Sequence, residues 1–102
     1  MGKYLMHVIT QCRIWEAKKQ YPESASALDG WYRVVKKNQY ASFAELKKNF
    51  NSVDRVDDFF VFNIGGNKLR LITNIHFSRR KIYIRYILSH KEYDKNKWKL
   101  KL

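Results

Sequence analysis

Cysteine, proline and glycine are scarce in this sequence of 102 residues, which has one cysteine, one proline and four glycines. A lone cysteine, Cys12, excludes an intrachain disulfide and a zinc site built from several cysteines, and it fits a reducing compartment. So little proline and glycine argues against long flexible linkers. We therefore expect a single domain over residues 1–102, located in the cytoplasm.

Long apolar runs are also missing. The longest one covers residues 59–62, with the sequence Phe-Phe-Val-Phe, whereas a membrane-spanning helix needs about 18 or more apolar residues. The N-terminus has no apolar stretch of the kind found in a secretory signal. The sequence thus predicts no contact with a membrane.

Acidic residues are few: 9 Asp and Glu stand against 21 Lys and Arg, which gives a net charge of +12. Residues 68–102 hold 11 basic and 2 acidic side chains, whereas residues 1–67 hold 10 basic and 7 acidic ones. A basic region of this kind attracts polyanions, of which nucleic acid is the commonest in the cytoplasm. With 45% apolar residues, the chain is too apolar for a disordered polycation.

The first half of the sequence has apolar residues at helical spacing. A short edge strand over residues 5–9 precedes a helix that Thr10 caps and that ends before Pro22. A second helix is predicted over residues 23–38, with Leu28, Trp31 and Val35 in its apolar stripe. Ser42 caps a short third helix.

After Asp57 and Asp58, apolar residues recur at every second position, the spacing typical of a β-strand. Strands are predicted over residues 59–64, 68–77 and 82–88, and Gly65 and Gly66 can form a tight turn between the first two. The result is a three-stranded antiparallel meander. We therefore predict an α+β fold, with N-terminal helices packed on one face of a small, mostly antiparallel sheet.

Two-residue turns would fix a register in which apolar side chains share one face. In that register Phe62 lies opposite Leu69, and Tyr86 and Leu88 lie on the same apolar face. The helices would cover this face. The opposite face would collect polar, cationic and partly aromatic side chains, namely Asn63, Lys68, Arg70, Asn74, His76, Tyr83, Arg85 and Ser89.

The same register places Arg70 opposite Ser89, so that His90 leaves the sheet beside Arg70, while Arg85 lies roughly 13 Å farther along. Guanidinium groups bind phosphate oxygens through paired N–H groups, and imidazole transfers protons near neutral pH. RNA carries its own nucleophile, the 2′-hydroxyl. Its cleavage on this face would need a base, an acid and cations, but no metal.

These residues also have structural explanations. A histidine near a strand end is commonly a surface residue, and we predict structural roles for His7 and His76, which lack charged neighbours in sequence. Glu92 and Asp94 have no His or Cys at metal-ligand spacing, so a helix-cap role is favoured over a metal site. Composition and pattern alone predict a small basic domain that binds RNA.

Three segments resemble the HigB toxins of bacterial toxin–antitoxin modules. They are Phe-Asn-Ile-Gly-Gly-Asn-Lys-Leu-Arg over residues 62–70, Tyr-Ile-Arg-Tyr over residues 83–86 and Ser-His-Lys-Glu-Tyr-Asp over residues 89–94. The resemblance covers residues 6–95. It leaves an N-terminal extension over residues 1–5 and a basic C-terminal tail over residues 96–102.

The resemblance implies a RelE-like fold and a ribosome-dependent mRNA endonuclease, held inactive by a helix-turn-helix antitoxin of the HigA type. Its partners would be messenger RNA on the ribosome and ribosomal RNA, and it would need no cofactor. The implied catalytic residues are Arg70, Arg85, His90, Tyr93 and Lys68. Nearby cations and one aromatic ring are expected to bind RNA, namely Lys91, Arg55, Tyr83 and Lys95. The assignment of acid and base within this set stays open.

Two other functions would use the same charge. The protein can be a module that binds RNA or DNA without cutting it, which predicts gel shifts without cleavage products. It can also be an interaction protein whose basic face binds an acidic partner, which predicts tight binding to one protein and weak affinity for RNA. Neither alternative needs chemistry from His90 or Tyr93.

Overall fold

A computed structural model describes residues 6–66 and 68–95 and has an α+β fold. The extension over residues 1–5, the tail over residues 96–102 and Asn67 of the motif lie outside the described residues. None of the described helices has the length and apolar character needed to cross a bilayer. In chain order the elements are β1 (His7–Ile9), α1 (Cys12–Gln20), α2 (Ala25–Lys37), α3 (Phe43–Asn49), β2 (Asp54–Val56), β3 (Phe59–Ile64), β4 (Leu69–His76), β5 (Lys81–Ser89) and α4 (His90–Asp94).

The five strands form one sheet in the order β1-β5-β4-β3-β2. The antiparallel meander of β3, β4 and β5 is confirmed, and β1 is the predicted edge strand, paired in parallel with β5. The strand β2, which pairs antiparallel with β3, and the helix α4 were not predicted. With only three and five residues, these elements are too short to show a clear apolar period.

The core lies between the helices and one face of the sheet. Leu28, Trp31 and Val35 of α2 are buried, as their spacing predicts. The indole of Trp31 meets the ring of Phe62 edge to face, with centroids 5.3 Å apart, a geometry that adds about 0.5–1.5 kcal/mol to the burial of apolar area. The sheet contributes Phe60, Phe62, Ile64, Leu69, Leu71, Ile82 and Ile84.

The predicted helix caps have different outcomes. The Ser42 hydroxyl accepts the backbone N–H of Glu45 at 3.3 Å, so the cap of α3 is confirmed. The cap predicted for Thr10 is wrong, because Thr10 has a left-handed backbone (φ 64°) and Gln11 precedes α1. The Thr10 hydroxyl instead donates to the carbonyl of Ile84 at 2.9 Å, which ties the start of α1 to β5.

The turn between β3 and β4 is longer than the predicted two residues. It occupies residues 65–68, because Ile64 pairs with Leu69. Gly65 and Gly66 have φ values of 64° and 67°, and a Cβ at Gly65 would lie 3.3 Å from Ser24 Oγ, so glycine suits both its backbone and its surroundings. The register differs from the predicted one by two residues, so β3 side chains keep their predicted faces.

The pairing of β4 with β5 contains a bulge at Arg85. Thr73 pairs with Ile84 and Ile72 pairs with Tyr86, so two steps on β5 correspond to one on β4. A bulge of this kind leaves one residue unpaired and changes the direction of the side chains that follow.

Beyond the bulge, β5 side chains lie on the face opposite to the predicted one. Arg70 pairs with Leu88 rather than Ser89, and the assignment of Tyr86 and Leu88 to the helix-covered face was wrong. Both lie on the sheet face turned away from α1, α2 and α3, which we call the far face. This face is therefore not wholly polar, and it carries a second apolar cluster, formed by Phe59, Val61 and Ile72 and bordered by Val56, Tyr86, Leu88 and Tyr93.

Candidate active site

Arg70 lies on the far face, between Asn63 of β3 and Leu88 of β5, and is partly buried. Its Nη2 atom lies 3.1 Å from Nδ1 of His90. Its guanidinium carbon lies 5.6 Å from the centre of the Tyr93 ring. The predicted proximity of Arg70 and His90 is confirmed, and we call Arg70, His90 and Tyr93 the Arg70 cluster.

Both ring nitrogens of His90 have partners. A guanidinium only donates hydrogen bonds, so Nδ1 of His90 accepts from Arg70, and the proton of the neutral ring is assigned to Nε2. That Nε2 lies 3.3 Å from Oδ2 of Asp94, one helical turn later. Asp94 was not predicted to contact His90, although the spacing of four residues on a helix carries that signal. The two contacts fix the plane of the imidazole.

The short helix α4 carries His90 and Tyr93 and is held by a capping box. The Ser89 hydroxyl accepts the N–H of Glu92, and the Glu92 carboxylate accepts the N–H of Ser89, both at 3.2 Å. The predicted cap role of Glu92 is thus confirmed. The backbone N–H of His90 donates to the carbonyl of Lys68 at 3.1 Å. A helix of five residues is not stable by itself, so these bonds hold it at the sheet.

Tyr21, just after α1, also contacts α4. Its hydroxyl donates to Oε1 of Glu92 at 3.1 Å. The pKa of Glu92 is lowered, chiefly by the Ser89 backbone N–H and against the effect of burial, while burial and then Glu92 raise the pKa of Tyr21. At neutral pH, therefore, a carboxylate accepts from a protonated phenol. Sequence reasoning missed this contact, because 71 positions separate the two residues.

Tyr93 borders the second apolar cluster and is partly buried. Burial raises the pKa of its phenol; Arg70 opposes the shift, and Asp54 and Asp94 add to it. The hydroxyl is therefore protonated at neutral pH, the form in which a phenol can donate a hydrogen bond.

Three lysines of the predicted site have exposed side chains and lie close in sequence to residues of the Arg70 cluster. Lys68 lies in the turn that binds the N–H of His90. Lys91 follows His90 on α4, and Lys95 lies close enough to Glu92 to help lower its pKa. These side chains add positive charge around Arg70.

Arg85 and Tyr83 lie outside the Arg70 cluster, farther along β5. Arg85 is exposed at the bulge, three residues from Leu88, which is the neighbour of Arg70. This spacing corresponds to roughly 10 Å along a strand. Tyr83 lies two residues beyond and contacts the ring of His76. A ligand must be extended along the sheet to touch both Arg70 and Arg85.

Arg55 faces the helix side of the sheet rather than the far face. It pairs with Phe60, and its guanidinium carbon lies 5.8 Å from the centre of the Phe60 ring, which belongs to the core. Its Nε atom donates to the carbonyl of Asp57 at 3.3 Å. The structure thus places Arg55 at the sheet edge, away from the Arg70 cluster.

The Arg70 cluster brings together a guanidinium, an imidazole and a phenol. In general, guanidinium groups bind phosphate oxygens and imidazole groups accept protons. Among residues 6–66 and 68–95, no three His, Cys, Asp or Glu side chains come together as metal ligands would.

Comparison with known proteins relates this fold and site to known toxins. Residues 24–96 match the HigB toxins, described as the RelE-like toxic component of a toxin–antitoxin system. The chain is 37% identical over 92 residues to the mRNA interferase toxin HigB of Escherichia coli strain K12. The aligned segment covers 87% of this chain and 88% of that relative. It is 33% identical over 93 residues to the mRNA interferase HigB of E. coli O6:H1, covering 88% and 90%.

The class defined by the fold, the site and these matches is that of RelE-like toxins of toxin–antitoxin systems. Within that class, the chain belongs to the HigB toxin family. The family resemblance in the sequence is thereby confirmed. Membership of a toxin–antitoxin family implies that the protein has a cognate antitoxin.

Proposed function

We propose that this protein is an endoribonuclease that cuts messenger RNA. The observation that carries the proposal is the Arg70 cluster, in which a guanidinium contacts an imidazole and an aromatic ring on the far face. The names of the relatives as mRNA interferases support it. The surrounding lysines favour the same substrate, because they attract the phosphate backbone of RNA.

In the proposed complex, Arg70 binds the scissile phosphate and Lys68 adds a point charge beside it. In the free protein, one N–H of Arg70 is donated to Nδ1 of His90. An anionic phosphate oxygen is a stronger acceptor than a neutral imidazole nitrogen. The phosphate therefore takes this N–H from His90, and Nδ1 becomes available as a base when RNA binds.

The proposed reaction begins when Nδ1 of His90 takes the proton of the ribose 2′-hydroxyl. The 2′-oxygen forms a bond to phosphorus, and the bond from phosphorus to the 5′-oxygen breaks. Solvent water delivers a proton to that 5′-oxygen, and His90 returns its proton to solvent. The products carry a 2′,3′-cyclic phosphate and a 5′-hydroxyl. Arg70 and Lys68 stabilise the added negative charge of the phosphorane, and no cofactor takes part.

The other site residues have supporting roles in the proposal. Tyr93 donates its hydrogen bond to the phosphate or to the departing 5′-oxygen, consistent with its raised pKa. Arg85 contacts a neighbouring phosphate, because the bound RNA strand extends along the far face. The remaining residues proposed to bind RNA are Lys91, Lys95, Tyr83 and Arg55.

We also propose the setting of the reaction. The substrate is messenger RNA bound to the ribosome in the cytoplasm, and ribosomal RNA forms part of the contact. A net charge of +12 suits this setting. Residues 1–102 act as one domain, and the antitoxin is a helix-turn-helix protein of the HigA type.

Substitution of Arg70 tests the proposal. Expression of the wild type without an antitoxin should arrest bacterial growth and leave messages cut within reading frames. Arg70→Ala should abolish cutting, because it removes the guanidinium that binds the phosphate. Arg33→Ala is the matched control, since it removes an exposed arginine from α2 in the helical layer, and it should cut like the wild type.

Circular dichroism of both variants checks that they fold. A folded Arg70→Ala protein that cuts as fast as the wild type would refute the site. Growth arrest with intact messages would refute cleavage, and would favour a module that binds RNA without cutting it or one that binds an acidic protein.

A further inference from the structure

A groove opens at the edge of the sheet where β4 continues past the start of β3. The last pair between these strands joins Phe60 to Thr73, whereas β4 continues to His76. The groove lies beside Asp58 and Ser42 and passes around the sheet edge, with a volume of about 750 Å³. Cavities of this size hold small organic ligands.

An aromatic pair lines the groove on the far face. His76 and Tyr83 lie on β4 and β5, and their ring centroids are 5.4 Å apart with an angle of 81° between the planes. Tyr83 is partly buried between Asn74 and Ile9, whereas His76 is exposed. Aromatic rings at an open surface are the side chains on which unpaired RNA bases stack. The contact gives His76, expected to be structural, a place in this groove.

Cations and an amide also line the groove, beside apolar side chains such as Phe43, Phe60 and Phe77. Arg85 enters from β5 and Arg55 from β2, and Asp58 is the acidic residue among the described lining. The amide nitrogen of Asn74 donates to the carbonyl of Asp58 at 3.0 Å, which fixes this amide at the groove. Guanidinium groups bind phosphate, and amides bind base edges. The groove therefore offers partners for the base and the phosphate of a nucleotide.

The groove and the Arg70 cluster share one strand. Asn74 lies four residues from Arg70 and His76 lies six residues from it, or roughly 13 and 20 Å along an extended strand. Successive nucleotides of a stacked strand are about 3.4 Å apart along its axis. The groove can therefore hold a nucleotide a few positions away from the scissile phosphate.

We propose that this groove is a second nucleotide-binding subsite for the RNA strand that is cut at Arg70. Tyr83 stacks a base, His76 and Asn74 contact the edge of that base, and Arg85 binds a phosphate between the two sites. The proposal rests on the proposed function and adds a second point at which the message is held. Because an aromatic ring stacks on every base, the subsite increases affinity and fixes the strand without strict base selection.

Binding of uncleavable RNA tests this subsite. The probes are a labelled dinucleotide and a labelled decanucleotide, both 2′-O-methylated, and the dissociation constants come from fluorescence anisotropy at one salt concentration. Tyr83→Ala should weaken binding of the decanucleotide by about 5- to 150-fold, the cost of one lost base–aromatic stack. Binding of the dinucleotide should not change. Tyr83→Phe keeps the ring and should bind both probes like the wild type.

Two more variants complete the design. His76→Ala changes an exposed side chain and should weaken binding of the decanucleotide only. This variant tests the subsite if Tyr83→Ala does not fold. Trp15→Ala is the control, because it removes an aromatic side chain that is 58% exposed on α1, and it should bind both probes like the wild type.

Folded Tyr83→Ala and His76→Ala proteins that bind the decanucleotide as tightly as the wild type would overturn the proposal. A wild type that binds the decanucleotide no more tightly than the dinucleotide would overturn it as well. Failure of the subsite would leave Arg70-dependent cutting intact. Failure of the proposed function would appear instead as intact messages, whatever the groove binds.

Discussion

His90 is the residue whose chemistry depends most directly on its contacts. Arg70 occupies Nδ1 and Asp94 lies beside Nε2 in the free protein. A phosphate that takes the N–H of Arg70 releases Nδ1, while Asp94 continues to hold the other side of the ring. In this account the base becomes available through substrate binding, which limits its action to RNA seated on Arg70.

His90→Gln tests the proton transfer at the residue scale. Glutamine can accept the N–H of Arg70 but cannot take a proton at neutral pH. We expect the cleavage rate on ribosome-bound message to fall by about 10²- to 10⁴-fold, the usual contribution of a general base. Single-turnover rates measure the effect, and His7→Gln, an exposed histidine on β1, is the matched control. An unchanged rate in His90→Gln would show that His90 takes no part.

At the scale of elements, α4 determines whether the site is assembled. Its five residues bring His90 and Tyr93 to Arg70, and its position depends on Ser89, Glu92 and Tyr21. These contacts connect the helix to the end of α1 as well as to the sheet. Loosening the cap should therefore disturb catalysis more than global stability.

Ser89→Ala tests this positioning. The variant removes the cap of α4, and we expect the free energy of unfolding to fall by about 1 kcal/mol. The cleavage rate should fall by about 10- to 100-fold, because misplacement by about 1 Å has that effect on reacting groups. Ser42→Ala removes the equivalent cap of α3, and it should cost similar stability without slowing cleavage. Equal slowing in both variants, measured beside urea unfolding, would contradict a positioning role.

The pH dependence of α4 follows from the lowered pKa of Glu92. A carboxylate whose pKa is lower in the folded state stabilises that state above its ordinary value of 4.5, and the contribution disappears as pH falls through the lowered pKa. We expect the Ser89 and Glu92 amide resonances to shift with a titration midpoint below the ordinary value of 4.5. Glu92→Gln should show no such transition. Titration of Glu92 at its ordinary pKa would rule out the capping contact in solution.

The sequence predicts best the elements that have several apolar residues at regular spacing; of the two predicted helix caps, Ser42 is confirmed and Thr10 is wrong. The α2 stripe of Leu28, Trp31 and Val35 and the Ser42 cap depend on nearby residues and were predicted. The bulge at Arg85 was not, because strand-forming residues alternate through it without a local break. Arg70 and His90 were still predicted to meet, since a change in pairing from Ser89 to Leu88 moves Arg70 by one residue. The contact between Tyr21 and Glu92 depends on the folded chain and has no local signal.

At the scale of the whole molecule, the sheet separates the core from the proposed RNA surface. Its helix side holds the main apolar core, whereas its far face carries the Arg70 cluster, the second apolar cluster and the aromatic pair of the groove. Exposed residues of the far face, such as Arg85 and His76, therefore contribute little to the core. Their substitution should change RNA binding and leave the fold intact.

In the proposed reaction, the ribose 2′-hydroxyl beside the phosphate bound by Arg70 is the nucleophile. The most direct test uses ribosomes programmed with a message that has a single 2′-deoxynucleotide on the 5′ side of the mapped cut. We expect the unmodified message to be cut to a cyclic phosphate and a 5′-hydroxyl, and the modified message to stay intact at that position. Cutting of the modified message at the same place, with a 5′-phosphate on the product, would show that the 2′-hydroxyl is not the nucleophile.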